Sequence, residues 1–138
     1  MKYACLVYHD PRKLADLPES EQLAAIVAEC EAAGAWKAEL EKGARHVFSA
    51  GLQSVHTAAT LRNSNGKLAI KDGPFAETKE FLGGFTIIEA RDFSEALQLA
   101  SKLASALMSV EVRPVLDGDA VLTDPLDQKI AAALRRQH

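Results

Sequence analysis

Apolar residues recur along this chain with two periods, and the changes between them lay out the elements. Tyr3 to Tyr8 is an uninterrupted run, Tyr-Ala-Cys-Leu-Val-Tyr, of the kind found in strands covered on both faces. From Ser20 the period lengthens: Leu23, Ile26, Val27, Cys30, Ala33, Trp36 and Leu40 recur at steps of three and four, with Glu29, Glu31, Lys37, Glu39 and Glu41 mostly opposite. This predicts one amphipathic helix ending near Gly43, capped by Ser20 after the Pro18-Glu19 loop. Gly34 inside it costs about 1 kcal/mol relative to alanine, which points to close contact with a sheet.

His46 to Ala50 then reads as a strand turning at Gly51, and two short strands, Thr57 to Arg62 and Lys67 to Lys71, flank Asn63-Ser64-Asn65-Gly66. Asn65-Gly66 favours the positive φ of a tight hairpin. Gly84 to Ala90 is the next strand, followed by a helical stripe of Ala96, Leu97, Ala100, Leu103, Ala104 and Leu107 after a Ser94 cap, and by a last strand, Val110 to Leu116. The order of strand, helix, two or three strands, helix and strand is the split βαβ pattern of a ferredoxin-like α+β fold with an antiparallel sheet. A linker, Asp117 to Thr123, leads to a further C-terminal helix: Asp124-Pro125 supplies a cap and a first-turn proline, and Leu126, Ile130, Ala133 and Leu134 share one face. So short a helix needs tertiary packing, on its own domain or across a dimer. The domain boundary is placed at 117, with 118–138 as linker and helical extension.

Two helices cover only one face of such a sheet, so the other face calls for a second copy, and a cavity between two facing sheets can hold a ligand. The 138 residues, 48% of them hydrophobic, suffice for one domain with a core. A net charge of -3 with scattered Lys and Arg gives no basic stripe for nucleic acid. The apolar run after Lys2 is too short for a signal-peptide core or a membrane span, so a cytoplasmic location is expected. Cys5 and Cys30 read as small hydrophobes on a buried strand and an apolar helix face, and no disulfide, metal site or cofactor is expected.

One string is not demanded by packing: Asp72-Gly-Pro-Phe-Ala-Glu-Thr-Lys-Glu80, followed by Phe81-Leu82-Gly83-Gly84-Phe85. It resembles the signature of the DGPF proteins, a branch of the YCII-related family. The resemblance extends to the opening strand, to Ser49-Ala-Gly-Leu-Gln53 and to Glu111-Val-Arg-Pro-Val115, roughly the first 117 residues. It implies a ferredoxin-like domain that pairs into a dimeric α/β barrel and binds a small molecule or protein partner. It also implies an accessory or regulatory role, since relatives are often encoded with extracytoplasmic-function sigma factors. The competing implication is a small enzyme similar to muconolactone isomerases, moving a proton on a cyclic or carbonyl substrate with His9, Asp72 or Glu111 as base. Some relatives pair a histidine on the first helix with an aspartate; here Ala33 stands near that position, with Cys30 the nearest reactive side chain.

Each candidate residue carries two readings. Asp72 is a cleft carboxylate or an acceptor within a turn. Glu77 and Lys79 are ligand contacts or a solvated charge cluster, and Phe75 is a stacking platform or a loop anchor, as is Phe81. His9, beside Asp10 at a strand end, is a proton-exchanging group or a surface histidine. Glu111 and Arg113, on one face of the last strand, form a ligand fork or a surface ion pair. His46 and His56 lack a third metal ligand, and no phosphate-binding or dinucleotide motif is present.

Overall fold

The structure, a computed structural model, describes residues 1–117 and 120–137. Four strands form one antiparallel sheet: β1 (Lys2–His9), β2 (His46–Gly51), β5 (Phe81–Glu89) and β6 (Met108–Pro114), in the order β2-β5-β1-β6. Helices α2 (Glu19–Lys42) and α3 (Phe93–Ser101) make the two crossovers, which is the ferredoxin-like arrangement. Between β2 and β5, strands β3 (Ala59–Ser64) and β4 (Lys67–Asp72) form a hairpin of their own that does not join the main sheet. A short α1 (Pro11–Ala15) follows β1, and α4 (Pro125–Arg136) closes the chain.

Strand alternation sorts the sheet into two faces. Tyr3, Cys5 and Val7 stand beside Ile88, Thr86 and Gly84 of β5 and beside Pro114, Val112 and Val110 of β6. Tyr3, Cys5 and Ile88 are almost wholly buried there, packed with Trp36 and Leu40 of α2 and with Ala96 and Ala100 of α3. Trp36 donates from its indole nitrogen to the Leu99 carbonyl at 2.8 Å, tying α2 to α3. The other face carries Leu6, Phe48, Phe85 and Ile87; Leu6, Phe85 and Ile87 are half-buried, and the Phe48 and Phe85 rings lie 6.0 Å apart.

Several boundaries differ from the sequence expectation for definable reasons. Helix α1 was unforeseen, although Asp10-Pro11 is the same cap-and-proline pair as Asp124-Pro125: the Asp10 carboxylate accepts from the Arg12 amide at 3.0 Å. Ser20 does not cap α2, which begins at Glu19 with Pro18 in the cap position and no side-chain cap. The cap of α3 is Asp92, two residues before Ser94, accepting from the Glu95 amide at 2.8 Å. That helix stops at Ser101, so Ala104 and Leu107 lie beyond it while Leu103 is buried in the following turn.

At the end of α2 the left-handed residue is Ala44 (φ 56°), not glycine. The Arg45 amide reaches back to Leu40 at 2.8 Å and the Ala44 amide to Glu41 at 3.1 Å, the paired bonds of a Schellman ending. The hairpin turn is tighter than expected, Asn65 and Gly66 having φ 52° and 80° as a two-residue type I′ turn requires. In the hairpin, Leu61, Leu68 and Ile70 share a face and are 64, 63 and 67% exposed. The stripe of α4 is also exposed, with Ala131 buried in place of Leu126, Ile130 or Leu134. Part of the expected linker, residues 118 and 119, lies outside the described residues.

Candidate functional site

One candidate site is a cavity of about 400 Å³ between α2 and the helix-covered face of the sheet. Its floor comes from Val7 and His9 of β1, Ser49 of β2, Gly83 to Thr86 of β5 and Met108 of β6; its roof includes Glu29, Cys30, Ala33, Gly34, Trp36 and Lys37 of α2. The space exists because small residues stand where α2 crosses the sheet. A side chain begun at Gly34 would meet nothing within 4 Å, so this glycine lies over the cavity instead of marking the close contact expected from sequence.

Strand alternation puts His9 on the same face as Val7, and a bulge in the β1–β5 ladder gives it room in this space. Val7 pairs with Gly84 and Tyr8 with Leu82, leaving Gly83 as the extra residue. The His9 imidazole lies directly over it: a Cβ at Gly83 would fall 2.2 Å from His9 Cδ2 and 2.6 Å from Nε2. Deeper in, the Ser49 and Thr86 hydroxyls are 2.9 Å apart, and His46 Nε2 is 2.8 Å from Ser49 Oγ. The Thr86 side chain is buried with this bond as its partner. The walls are otherwise mostly apolar, as small-molecule sites generally are.

The two cysteines separate here. Cys5 is buried under the core and burial pushes its thiol up to about 11, which leaves it neutral and inert. Cys30 is exposed and lines the cavity, so the expectation of a buried helix-face hydrophobe is corrected: the space beneath α2 leaves the thiol open to solvent.

Asp10 is not available as an acidic partner for His9. Its carboxylate is occupied by Arg12, from Nε at 3.2 Å and Nη2 at 3.0 Å, and these side-chain bonds hold it below its usual pKa.

The signature string forms a second locus. Gly73 (φ 109°) turns the chain out of β4; its amide donates to Ala58 at 2.8 Å and its carbonyl accepts from Thr60 Oγ1 at 2.9 Å. Phe75, 73% exposed, is no core anchor; the Arg62 guanidinium sits 4.7 Å from its ring centre and donates to its carbonyl at 3.0 Å. Pro74, Phe75, Phe81 and Tyr8 help line a cleft of about 510 Å³ on the uncovered side. Phe81, half-buried, belongs to β5. Asp72 ends β4 exposed, its backbone paired opposite Ala59. Among the described residues its carboxylate accepts none of the turn's hydrogen bonds. Asp72, Glu77 and Lys79 line neither this cleft nor the cavity under α2.

Glu111 and Arg113 stand on the uncovered face beside Leu6 and Ala4 and pair at 3.7 Å, both well exposed. His9, Asp72 and Glu111 are therefore on three separate surfaces. Sequence reasoning missed Ser49, Thr86 and Cys30 as cavity residues; the legible signals were the small residues Gly34 and Gly83. Among the described residues no group of three His, Cys, Asp or Glu side chains is placed to hold a metal ion, and no helix is long and apolar enough to cross a membrane.

A family model described as the YCII-related domain matches residues 1–118. The chain is also similar to the "Uncharacterized protein R00369" of Rhizobium meliloti (strain 1021), 51% identical over 61 residues that make up 42% of this chain and 49% of that protein. The match thus spans about half the length of that relative.

Proposed function

The chain belongs to the YCII-related family, and from that premise we propose that it is a homodimeric protein that binds a small, largely apolar molecule in the cavity under α2. The observation that carries this reading is the convergence of His9 and the Ser49–Thr86 hydroxyl pair on one apolar space of about 400 Å³, the size and composition of a small-ligand site. The ligand class is a compact apolar molecule with one or two hydroxyl or carbonyl groups: hydroxyls meet the polar end, and the imidazole donates or accepts at the other.

The apolar character of the uncovered sheet face supports the dimer. Leu6, Phe48, Phe85 and Ile87 form an apolar surface there, and a second sheet packed about 10 Å away would bury it. A cytoplasmic accessory role, with a sigma factor among the partners, rests on the resemblance of the signature string. The enzymatic alternative, proton transfer on a carbonyl compound, is favoured by one observation, the entry of His9 into the cavity; Asp72 and Glu111 lie elsewhere.

The test is a thermal-shift screen with small hydroxy and carbonyl compounds on the wild type, Ala33→Trp, which fills the cavity, and Phe75→Ala, which alters the signature cleft. A selective ligand raises the melting temperature by mass action. A compound that stabilises the wild type and Phe75→Ala but not Ala33→Trp supports the reading. The reverse pattern moves the site to the signature cleft.

A further inference from the structure

Among the described residues two apolar helix stripes are exposed, and the charges beside them are complementary. On the first half of α2, Leu23, Ile26 and Val27 are exposed, Leu23 by 71%, and the stripe continues to the exposed Cys30. Around it stand Glu19, Glu21, Glu29 and Glu31, with no Lys or Arg before Lys37. On α4, Leu126, Ile130 and Leu134 are exposed on one face, among Lys129, Arg135 and Arg136 with Asp127 as the one acid. No ion pair among the described residues engages Glu19, Glu21, Glu31, Lys129, Arg135 or Arg136.

The chain's own path keeps the two stripes apart. The first half of α2 lies at the His9 end of the sheet, because its other end leads into His46, beside Ile88 and hence Tyr3. Helix α4 starts at the Tyr3 end: β6 finishes with Pro114 opposite Tyr3, the Val115 amide is bonded to the Lys2 carbonyl at 3.0 Å, and Asp127 lines a cavity with Tyr3 and Phe93. Gln128 Nε2 holds the Leu122 carbonyl at 2.8 Å and fixes the entry to the helix.

We propose that α4 of one copy docks antiparallel on the first half of α2 of a second copy, a contact distinct from pairing through the sheet face. Leu134, Ile130 and Leu126 then follow Leu23, Ile26 with Val27, and Cys30 of the neighbour, since both stripes advance by three and four residues. The antiparallel sense brings Arg135 and Arg136 over Glu19 and Glu21 and opposes the two helix dipoles. In reciprocal form the contact is closed and two-fold. It also seats an apolar helix at the mouth of the α2 cavity, where Cys30 lies.

Cys30 serves as the native reporter. In Leu126→Cys under mild oxidation, a covalent dimer should form in non-reducing gels and disappear when Cys30→Ser is added; Cys5, being buried, takes no part. Leu134→Cys should cross-link much more slowly to Cys30. Reversing Arg135 and Arg136 to Glu should slow the cross-link several-fold, and adding Glu19→Lys and Glu21→Lys should restore it. A faster-migrating monomer in Leu126→Cys would overturn the proposal in favour of docking within one chain. A dimer indifferent to Cys30→Ser, no dimer at all, or charge reversal without effect would overturn it as well. Because the cross-link reads contact and not ligand, it stands or falls separately from the cavity.

Discussion

The His9 imidazole occupies the volume in which a side chain on Gly83 would begin, with Cδ2 2.2 Å from the place of a Cβ. Its neighbour Gly84 faces backbone instead, a Cβ there falling 2.9 Å from the Ala50 carbonyl oxygen. The two adjacent glycines therefore respond differently to the same substitution. In Gly83→Ala the exposed histidine can swing aside, so the melting temperature should change little while the His9 ring signals move in NMR spectra and ligand shifts are lost. In Gly84→Ala strand β2 must give way, at a cost of about 1–3 kcal/mol, read by denaturant unfolding. Equal destabilisation of both would refute this account of the bulge.

Ala44 holds a left-handed conformation that an L-residue adopts at a cost of about 1–2 kcal/mol and glycine adopts without it. Its own amide and that of Arg45 already make the Schellman bonds, and the side chain is exposed. Ala44→Gly should thus stabilise the protein by about 0.5–1 kcal/mol, after the added unfolded-state freedom of glycine is subtracted. A lower midpoint in urea would show that the ending is not held as described.

The two thiols should react on different timescales. With Cys5 neutral and buried, its thiol at about 11, a disulfide reagent at mildly alkaline pH should label one cysteine promptly and the second only on unfolding. Cys30→Ser should remove the fast phase. Fast labelling that survives this change would place Cys5 at the surface and contradict the core.

Asp10 gives a pH dependence of definite sign. The Arg12 bonds lower its folded-state pKa, so its contribution to stability is fully present above the ordinary carboxylate value of about 4 and is lost as pH falls through the lower folded value. Asn retains the ability to cap α1. Asp10→Asn should therefore melt below the wild type at neutral pH, and the gap should close on acidification. A gap constant with pH would assign the effect to something other than the carboxylate charge.

The fold was legible because its signals are repeated: the run at β1, the stripes of α2 and α3 and the Asn65-Gly66 turn each state their element more than once. What was missed depends on competition between neighbours. Asp92 and Ser94 are both good caps, and only the path out of β5 decides between them; Asp10-Pro11 opens a helix too short to show a stripe. The candidate site was less legible because it is built from residues that leave room. Ala33, Gly34, Gly83 and Gly84 carry no motif, and Ser49 meets Thr86 only through the β2–β5 register. The loudest string, Asp72 to Glu80, folds instead as the exit from a hairpin.

The chain of contacts from His46 through Ser49 to Thr86 has a consequence for what the cavity can accept. If His46 carries its proton on Nε2, it donates to Ser49, which is then free to donate to Thr86 and leave the Thr86 hydrogen to point onward; in the other tautomer Ser49 donates to His46 and must accept from Thr86, whose lone pair is left free. Relocating one imidazole proton thus allows the polarity at the far end of the row to invert without displacing a heavy atom. The same pocket wall can greet a carbonyl or a hydroxyl, and the choice is written in the tautomer of a histidine two side chains away.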